Sequence, residues 1–252
     1  MLNIYDVNGL PSWDEAEINQ REHLTASLAA GVREALLAMN PAWSFRRVEA
    51  PLLMPRALIS EAYTDADVWA QRRMDASDHD LVLRPETTPG TYAAMRHALD
   101  HHTGARLPFC MWQAGKSFRR EAEQPGKFCR FKEFHQLEFQ CAYSSDTTND
   151  YHAKVLEPMR AMLARATGRR TRVVPSDRLP AYSQVTSDVE AWMGEDDRWM
   201  EICSVSRRTD FPGTVTVRNK RNEAVEHAVL VLEVAVGLDR CVRAWSLAPE
   251  PA

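Results

Sequence analysis

Apolar residues recur at helical spacing over Leu24, Leu28, Val32, Leu36 and Met39, which predicts a long amphipathic helix. Ser12, with Glu15 three positions on, predicts a capping box at its start; Asn40–Pro41 predicts its end. Residues 1–11 read as an extended lead. Phe45–Pro51 reads as a strand running into a proline-bounded turn, and residues 56–80 as an irregular polar excursion. Leu81–Leu83 is a short strand and Arg84–Thr88 a loop. Pro89 suits the first turn of a helix capped by Thr88, running to about Asp100 with Tyr92, Met95 and Leu99 inward.

From Leu107 to Tyr143 the period changes to two, which predicts two strands joined by a loop holding Pro125 and Gly126. In the second strand Leu137, Phe139, Cys141 and Tyr143 share one face, and Phe134, Gln136, Glu138 and Gln140 the other. In the first, Gln113, Ser117, Arg119 and Glu121 fall together. Two polar faces side by side make a floor for a polar ligand rather than a solvated surface, which would mix in lysine and threonine freely. A helix is expected over about 147–167, with Tyr151, Val155, Met159, Met162 and Ala166 inward and a kink or late start at Pro158. Arg165, Arg169, Arg170 and Arg172 read as partners of its C-terminal dipole on a solvated face. Trp199–Val205 and the β-branched run His227–Val236 read as strands. Gly237 opens a last helix to about Leu247.

Composition narrows the class. The 252 residues are 44% hydrophobic and 26% charged, with net charge −4, so no global basic field draws nucleic acid. The five cysteines are odd in number and contain no CxxC spacing, which argues against disulfides and structural zinc and favours a reducing compartment. No apolar run approaches the about 18 residues of a membrane span, so no membrane partner is expected and the reading is cytoplasmic. His97 and His101, four apart on a helix, lack a third ligand placed by sequence and read as helix-end residues.

Three segments together resemble the class II aminoacyl-tRNA synthetases: Phe45–Pro51; Phe118–Glu121 with Arg130–Phe134; and Gly237–Arg240 after a strand. Within that class the segments most resemble glycyl-tRNA synthetase, through Leu83–Thr87 (LRPET), Gln113–Arg119, Ala181–Glu190 and Glu201–Phe211. The resemblance implies a single α/β (α+β) domain over residues 1–252, with a mostly antiparallel sheet flanked by helices and the ligands on one face. It implies ATP and Mg²⁺ as cofactors, and a homodimer across Phe45–Pro51. Arg119 would meet the α-phosphate, where charge grows as an amino-acid carboxylate attacks, and Arg130 and Arg240 the γ-phosphate; Arg119 and Arg240 are the expected catalytic pair. Phe134 would stack on adenine, Glu121 would read its edge, and Glu201 would hold the metal. At the amino-acid end the candidates are Glu86 and Glu138 for the ammonium, Arg208 for the carboxylate, and Gln113 and Gln136 for further hydrogen bonds. Ala235 stands where the family has a pocket-shaping serine.

Ser204, Ser206–Arg207 and Thr88–Pro89 also depart from the glycyl pattern, so the expected substrate is glycine or another small amino acid. The chain stops about ten residues after the third segment, where full synthetases carry an anticodon-binding domain. The leading expectation is therefore an adenylate-forming ligase that passes its acyl group to an acceptor other than, or in addition to, a standard tRNA: a carrier-protein thiol, a small metabolite or a nucleobase. A minimal glycyl-type synthetase and a non-catalytic dimeric subunit are the alternatives.

Overall fold

The computed structural model describes residues 5–7, 9–58, 73–77, 80–101, 106–120, 129–177, 179–194, 198–218 and 224–247. A hairpin of β1 (Tyr5–Val7) and β2 (Leu10–Ser12) leads into α1 (Glu15–Met39), so the expected lead is a paired hairpin. Strands β3 (Ser44–Arg47), β4 (Leu53–Pro55), β5 (Met74–Asp75) and β6 (Leu81–Leu83) follow, then α2 (Thr88–His101). Next come the long strands β7 (Phe109–Phe118) and β8 (Glu133–Ser144), then α3 (Tyr151–Thr167). The chain continues through β9 (Thr171–Pro175), β10 (Ser183–Trp192), β11 (Trp199–Arg208), β12 (Val215–Arg218), β13 (Ala224–His227) and β14 (Val229–Gly237), and α4 (Leu238–Ser246) follows.

Helix α1 starts two residues later than the Ser12 capping box predicts. Ser12 is the last residue of β2 and pairs with Tyr5, so it is not free to cap. Asp14 is the cap: its Oδ1 accepts from the Glu17 amide at 2.9 Å, and Glu17 Oε2 accepts from the Asp14 amide at 2.9 Å. Asp14→Ala should cost about 1 kcal/mol of stability while Ser12→Ala costs a few tenths, measured by urea unfolding; equal effects would return the cap to Ser12. Helix α3 likewise begins at Tyr151 because Asp150 accepts from the Ala153 amide.

Seven strands form the central sheet in the order β3-β7-β8-β14-β11-β10-β9. Every neighbouring pair is antiparallel except β3 with β7. Alternation assigns each face its job. Leu137, Phe139, Cys141 and Tyr143 of β8 join Leu24, Leu28, Val32 and Leu36 of α1 and Val155, Met159 and Leu163 of α3 in the main core. On the opposite face, α2 packs Tyr92 and Met95 over Phe109, Met111, Ala142 and Val231 in a second cluster. That cluster covers one end of the face. Beyond it the floor is polar.

Arg169 departs from the solvated-face expectation. It is buried, and its Nε donates to the Ala244 carbonyl at 2.9 Å, tying the end of α3 to α4. Arg172 is half-exposed as expected, but it stands on β9 and its Nε lies 2.7 Å from Glu190 rather than at the helix end. No helix among the described residues is long and apolar enough to cross a membrane.

Candidate active site

The open part of the polar face is the floor of a cavity of about 440 Å³. Strand register builds it in rows. One row runs Gln113–Glu138–Ala235–Ser204–Asp188 across β7, β8, β14, β11 and β10. The row beside it runs Gln140–Glu233–Ser206–Thr186. A third places Gln136 opposite Gly237, where α4 begins. Each residue shares the face because side chains alternate along a strand, and the rows align because the register does.

One end of the cavity is cationic and aromatic. It is lined by Arg119, Arg130, Phe134, Glu201 and Arg240. The Arg119 guanidinium lies 5.1 Å from the Phe134 ring centre, and its Nε donates to the Pro85 carbonyl at 3.0 Å. Arg240 donates to the Glu201 carbonyl at 2.9 Å and sits 3.3 Å from the Glu201 carboxylate. These are the groups that a nucleotide needs: guanidinium forks for phosphate oxygens and a flat ring for a base. Glu201 is half-exposed beside them and is a hard oxygen donor of the kind Mg²⁺ accepts when phosphates supply the other ligands. Glu121, the expected adenine-edge reader, lies outside the described residues.

The other end is anionic. Glu86, Glu138 and Glu233 line it, with Tyr182, Thr186, Ser206 and Ala235. Glu138 Oε2 accepts from the Thr87 amide at 3.2 Å, from the Thr87 hydroxyl and from the Thr88 hydroxyl at 3.1 Å; its other oxygen accepts from Gln136. Burial, then the charges of Glu86 and Glu233, push the Glu138 carboxyl up to about 8. Asp188, at the far end of the row, is raised to about 6, first by burial; side chains of Ser176 and Ser204 hold it partly down. Arg119 stands between the two ends, 3.7 Å from Glu86.

The Glu138 shift has a sign that stability measurements read. The folded pKa lies above the ordinary value of 4.5, so the native state holds a proton the unfolded chain releases. Stability from this group is fully present below about pH 4.5 and lost as pH rises through about 8. Glu138→Gln should flatten the fall in melting temperature between pH 5 and 8, and an unchanged slope would contradict the assignment. An ammonium ligand favours the ionised form, so amine affinity of the unsubstituted protein should rise over pH 7–9.

Two predicted residues lie behind the cavity wall. Gln113 is buried; its Oε1 accepts from the Ala50 amide and Arg84, and its Nε2 donates to the Thr87 carbonyl and Thr91 hydroxyl. Arg208 is fully buried, with Nη1 2.6 Å from Glu233 and 3.4 Å from Glu86 and Nη2 2.6 Å from Asp210. The Tyr182 ring covers it at 4.1 Å. Burial opposes its charge, and Glu233, Tyr92 and Asp210 more than restore it. Its donors are thus turned to protein carboxylates. Glu86, Gln136, Glu138 and Ala235 all line the cavity.

Glu233, Asp210, Thr87, Thr88 and Tyr182 are part of this network without having been singled out by sequence. Glu233 carried a signal: it is the one charged residue inside the apolar strand β14. His97 and His101 stack at 4.6 Å between ring centres, and among the described residues no group of three or more His, Cys, Asp and Glu side chains is arranged to hold a metal.

An antiparallel sheet with helices behind it, a guanidinium-lined end and a carboxylate-lined end on its open face, describes the catalytic core of a class II synthetase. Residues 69–246 match the tRNA synthetase class II core domain (G, H, P, S and T), and the chain belongs to that family. Curated relatives include the glycine–tRNA ligase of Mycoplasma capricolum, 29% identical over 180 residues, and that of Mycobacterium bovis, 31% identical over 179. Each match covers 65% of this chain and 38% of the relative, so the chain matches well under half the length of those ligases. Among solved structures, seryl-tRNA synthetase from Pyrococcus horikoshii complexed with ATP superposes with a TM-score of 0.71 at 20% identity, covering 94% of this chain and 52% of that one. Prolyl-tRNA synthetase from Cryptosporidium parvum complexed with halofuginone and AMPPNP gives 0.71 at 12% identity, covering 97% and 49%. These two likenesses show the fold.

Proposed function

We propose that the protein is a ligase core that activates an amino acid with ATP, forming an aminoacyl-adenylate and releasing pyrophosphate, and then passes the acyl group to tRNA. One observation carries the reading: a single cavity with Arg119, Arg130, Phe134 and Arg240 at one end and Glu86, Glu138 and Glu233 at the other. The first set suits a nucleotide triphosphate and the second an ammonium group. Arg119, between them, stands where a carboxylate and an α-phosphate would meet.

The chemistry needs no protein nucleophile. The amino-acid carboxylate attacks the α-phosphorus, the bond to the β-phosphate oxygen breaks, and pyrophosphate leaves. The protein supplies alignment and charge stabilisation. Phe134 orients the base, Arg130 and Arg240 hold the outer phosphates, and Arg119 meets the negative charge that develops on the α-phosphate. Glu201 is the residue that would hold Mg²⁺, whose chemistry when bound is neutralisation of phosphate charge. Because Arg208 faces protein carboxylates, the substrate carboxylate is assigned to Arg119.

The likeness to glycine–tRNA ligases supports tRNA as acceptor and glycine or another small amino acid as substrate. No observation on the cavity favours a carrier thiol, a metabolite or a nucleobase, which was the leading expectation from sequence. The exposed Leu52 and Leu53, just beyond Pro51, support a homodimer through that segment. Amino-acid-dependent exchange of pyrophosphate into ATP tests activation. Exchange should appear with one or a few small amino acids; its absence with all twenty, in a folded protein that binds ATP, would overturn the proposal, and a folded protein that binds no ATP would favour the non-catalytic reading.

A further inference from the structure

Arg84 lies beneath the cavity and touches none of the ligand positions, yet it is 2% exposed and makes hydrogen bonds to several parts of the fold. Its Nε donates to the Lys116 carbonyl at 2.7 Å, in β7. Its Nη1 donates to the Ala50 carbonyl at 2.7 Å and to Gln113 Oε1 at 3.2 Å. Its own amide donates to the Leu52 carbonyl, and its own carbonyl accepts from the Phe118 amide, each at 2.9 Å. Among the described residues no carboxylate is bonded to it. The charge is held by carbonyl oxygens, with Glu138 and Glu49 as more distant counter-charges.

Such an arrangement does little for stability on its own, because a buried guanidinium gives up its hydration and burial lowers its pKa. It does fix orientation. Donation to Gln113 Oε1 sets which way the Gln113 amide points, so its Nε2 faces the Thr87 carbonyl at 3.2 Å and the Thr91 hydroxyl at 2.6 Å. Thr87 in turn holds Glu138 through its amide and hydroxyl. Glu86 is the residue between Pro85, which accepts from Arg119, and Thr87. Phe118, bonded to the Arg84 carbonyl, precedes Arg119. The Arg84 side chain therefore lies behind the chain positions of Glu86 and Glu138, and its backbone carbonyl holds the strand end that leads to Arg119. On its outer side the fork grips the Ala50 carbonyl, while the Arg84 backbone amide holds Leu52, in the segment with the exposed Leu52 and Leu53.

We propose that Arg84 is a positioning residue: its fork locks the Gln113 amide and the 85–88 loop in the geometry that captures the substrate amine, and it ties that loop to the outer segment 50–53. This rests on the activation chemistry proposed above. Gly115 gives a second, independent handle. A Cβ there would fall 2.4 Å from Arg84 Nη2, so any side chain at 115 must push the fork away.

The test uses Arg84→Lys, which keeps the charge and loses the fork, and Gly115→Ala, which keeps the arginine and displaces it. For each folded variant the KM for the amino acid giving the fastest exchange should rise about tenfold or more, with the KM for ATP within about twofold. Hydrogen exchange at the Thr87 and Thr91 amides should quicken, while amides of α1 stay protected. Equal loss for ATP and amino acid, or unchanged KM and protection in both variants, overturns the proposal. Should Arg84→Lys fail to fold, Gly115→Ala decides. Should the unsubstituted protein show no exchange with any amino acid, the activation reading falls, and the hydrogen-exchange comparison still decides whether Arg84 holds the loop.

Discussion

Arg119→Ala should lower amino-acid-dependent pyrophosphate exchange by about a hundredfold to a thousandfold, the loss typical when a preorganised donor to developing charge is removed. The geometry gives the reason. The side chain is held by the Pro85 carbonyl and the Phe134 ring, and reaches to 3.7 Å from Glu86, so it is aimed before substrate arrives. Alanine removes the fork at the junction of the two ligand ends. Lysine restores charge without the planar fork and should recover only part of the rate. The loss should fall mainly on kcat, because the phosphate contacts proposed for Arg130 and Arg240 remain. A change confined to the KM for ATP would instead make Arg119 a ground-state binder.

The second large effect is on stability. Arg208→Leu leaves Glu86, Asp210 and Glu233 around a buried apolar side chain. Removing one partner of a buried ionic set costs about 3–5 kcal/mol, because the remaining charges are uncompensated. Adding Glu233→Leu should restore part of the stability, since it removes one of the stranded charges. Urea unfolding of the single and double variants at pH 7.5 measures both effects. A loss below about 1 kcal/mol at pH 7.5 would mean that the carboxylates stay solvated without the arginine.

The site was legible where its residues lie close in the chain. Phe134, Gln136 and Glu138 alternate along one strand, so period two placed them on one face, and the structure puts all three on the cavity. Arg240 follows a glycine at a strand-to-helix turn, which is also local. The carboxylate network was legible only in part. Arg208 meets Glu86 across 122 positions and Glu233 across 25. Its near neighbour Asp210, two positions on, is the one local sign that it points at carboxylates rather than at a ligand. Gln113 was placed on the correct face, but the depth of the wall in front of it is set by Thr87 and Thr91 of another element. The helix start at Asp14 was hidden for a related reason: the pairing of Ser12 with Tyr5 competes with capping, and short-range spacing does not reveal pairing.

The order of strands also has a consequence for how the chain is made. β14 lies between β8 and β11, although it is the last strand of the central sheet in chain order. Until residues 229–237 are available, β8 and β11 each present an unpaired edge, and the guanidinium end has no Arg240. Between the completion of β11 and the arrival of β14 the nascent chain therefore carries two half-sheets with open edges. Completion of one late strand joins the halves, closes both edges and assembles the cavity in the same step.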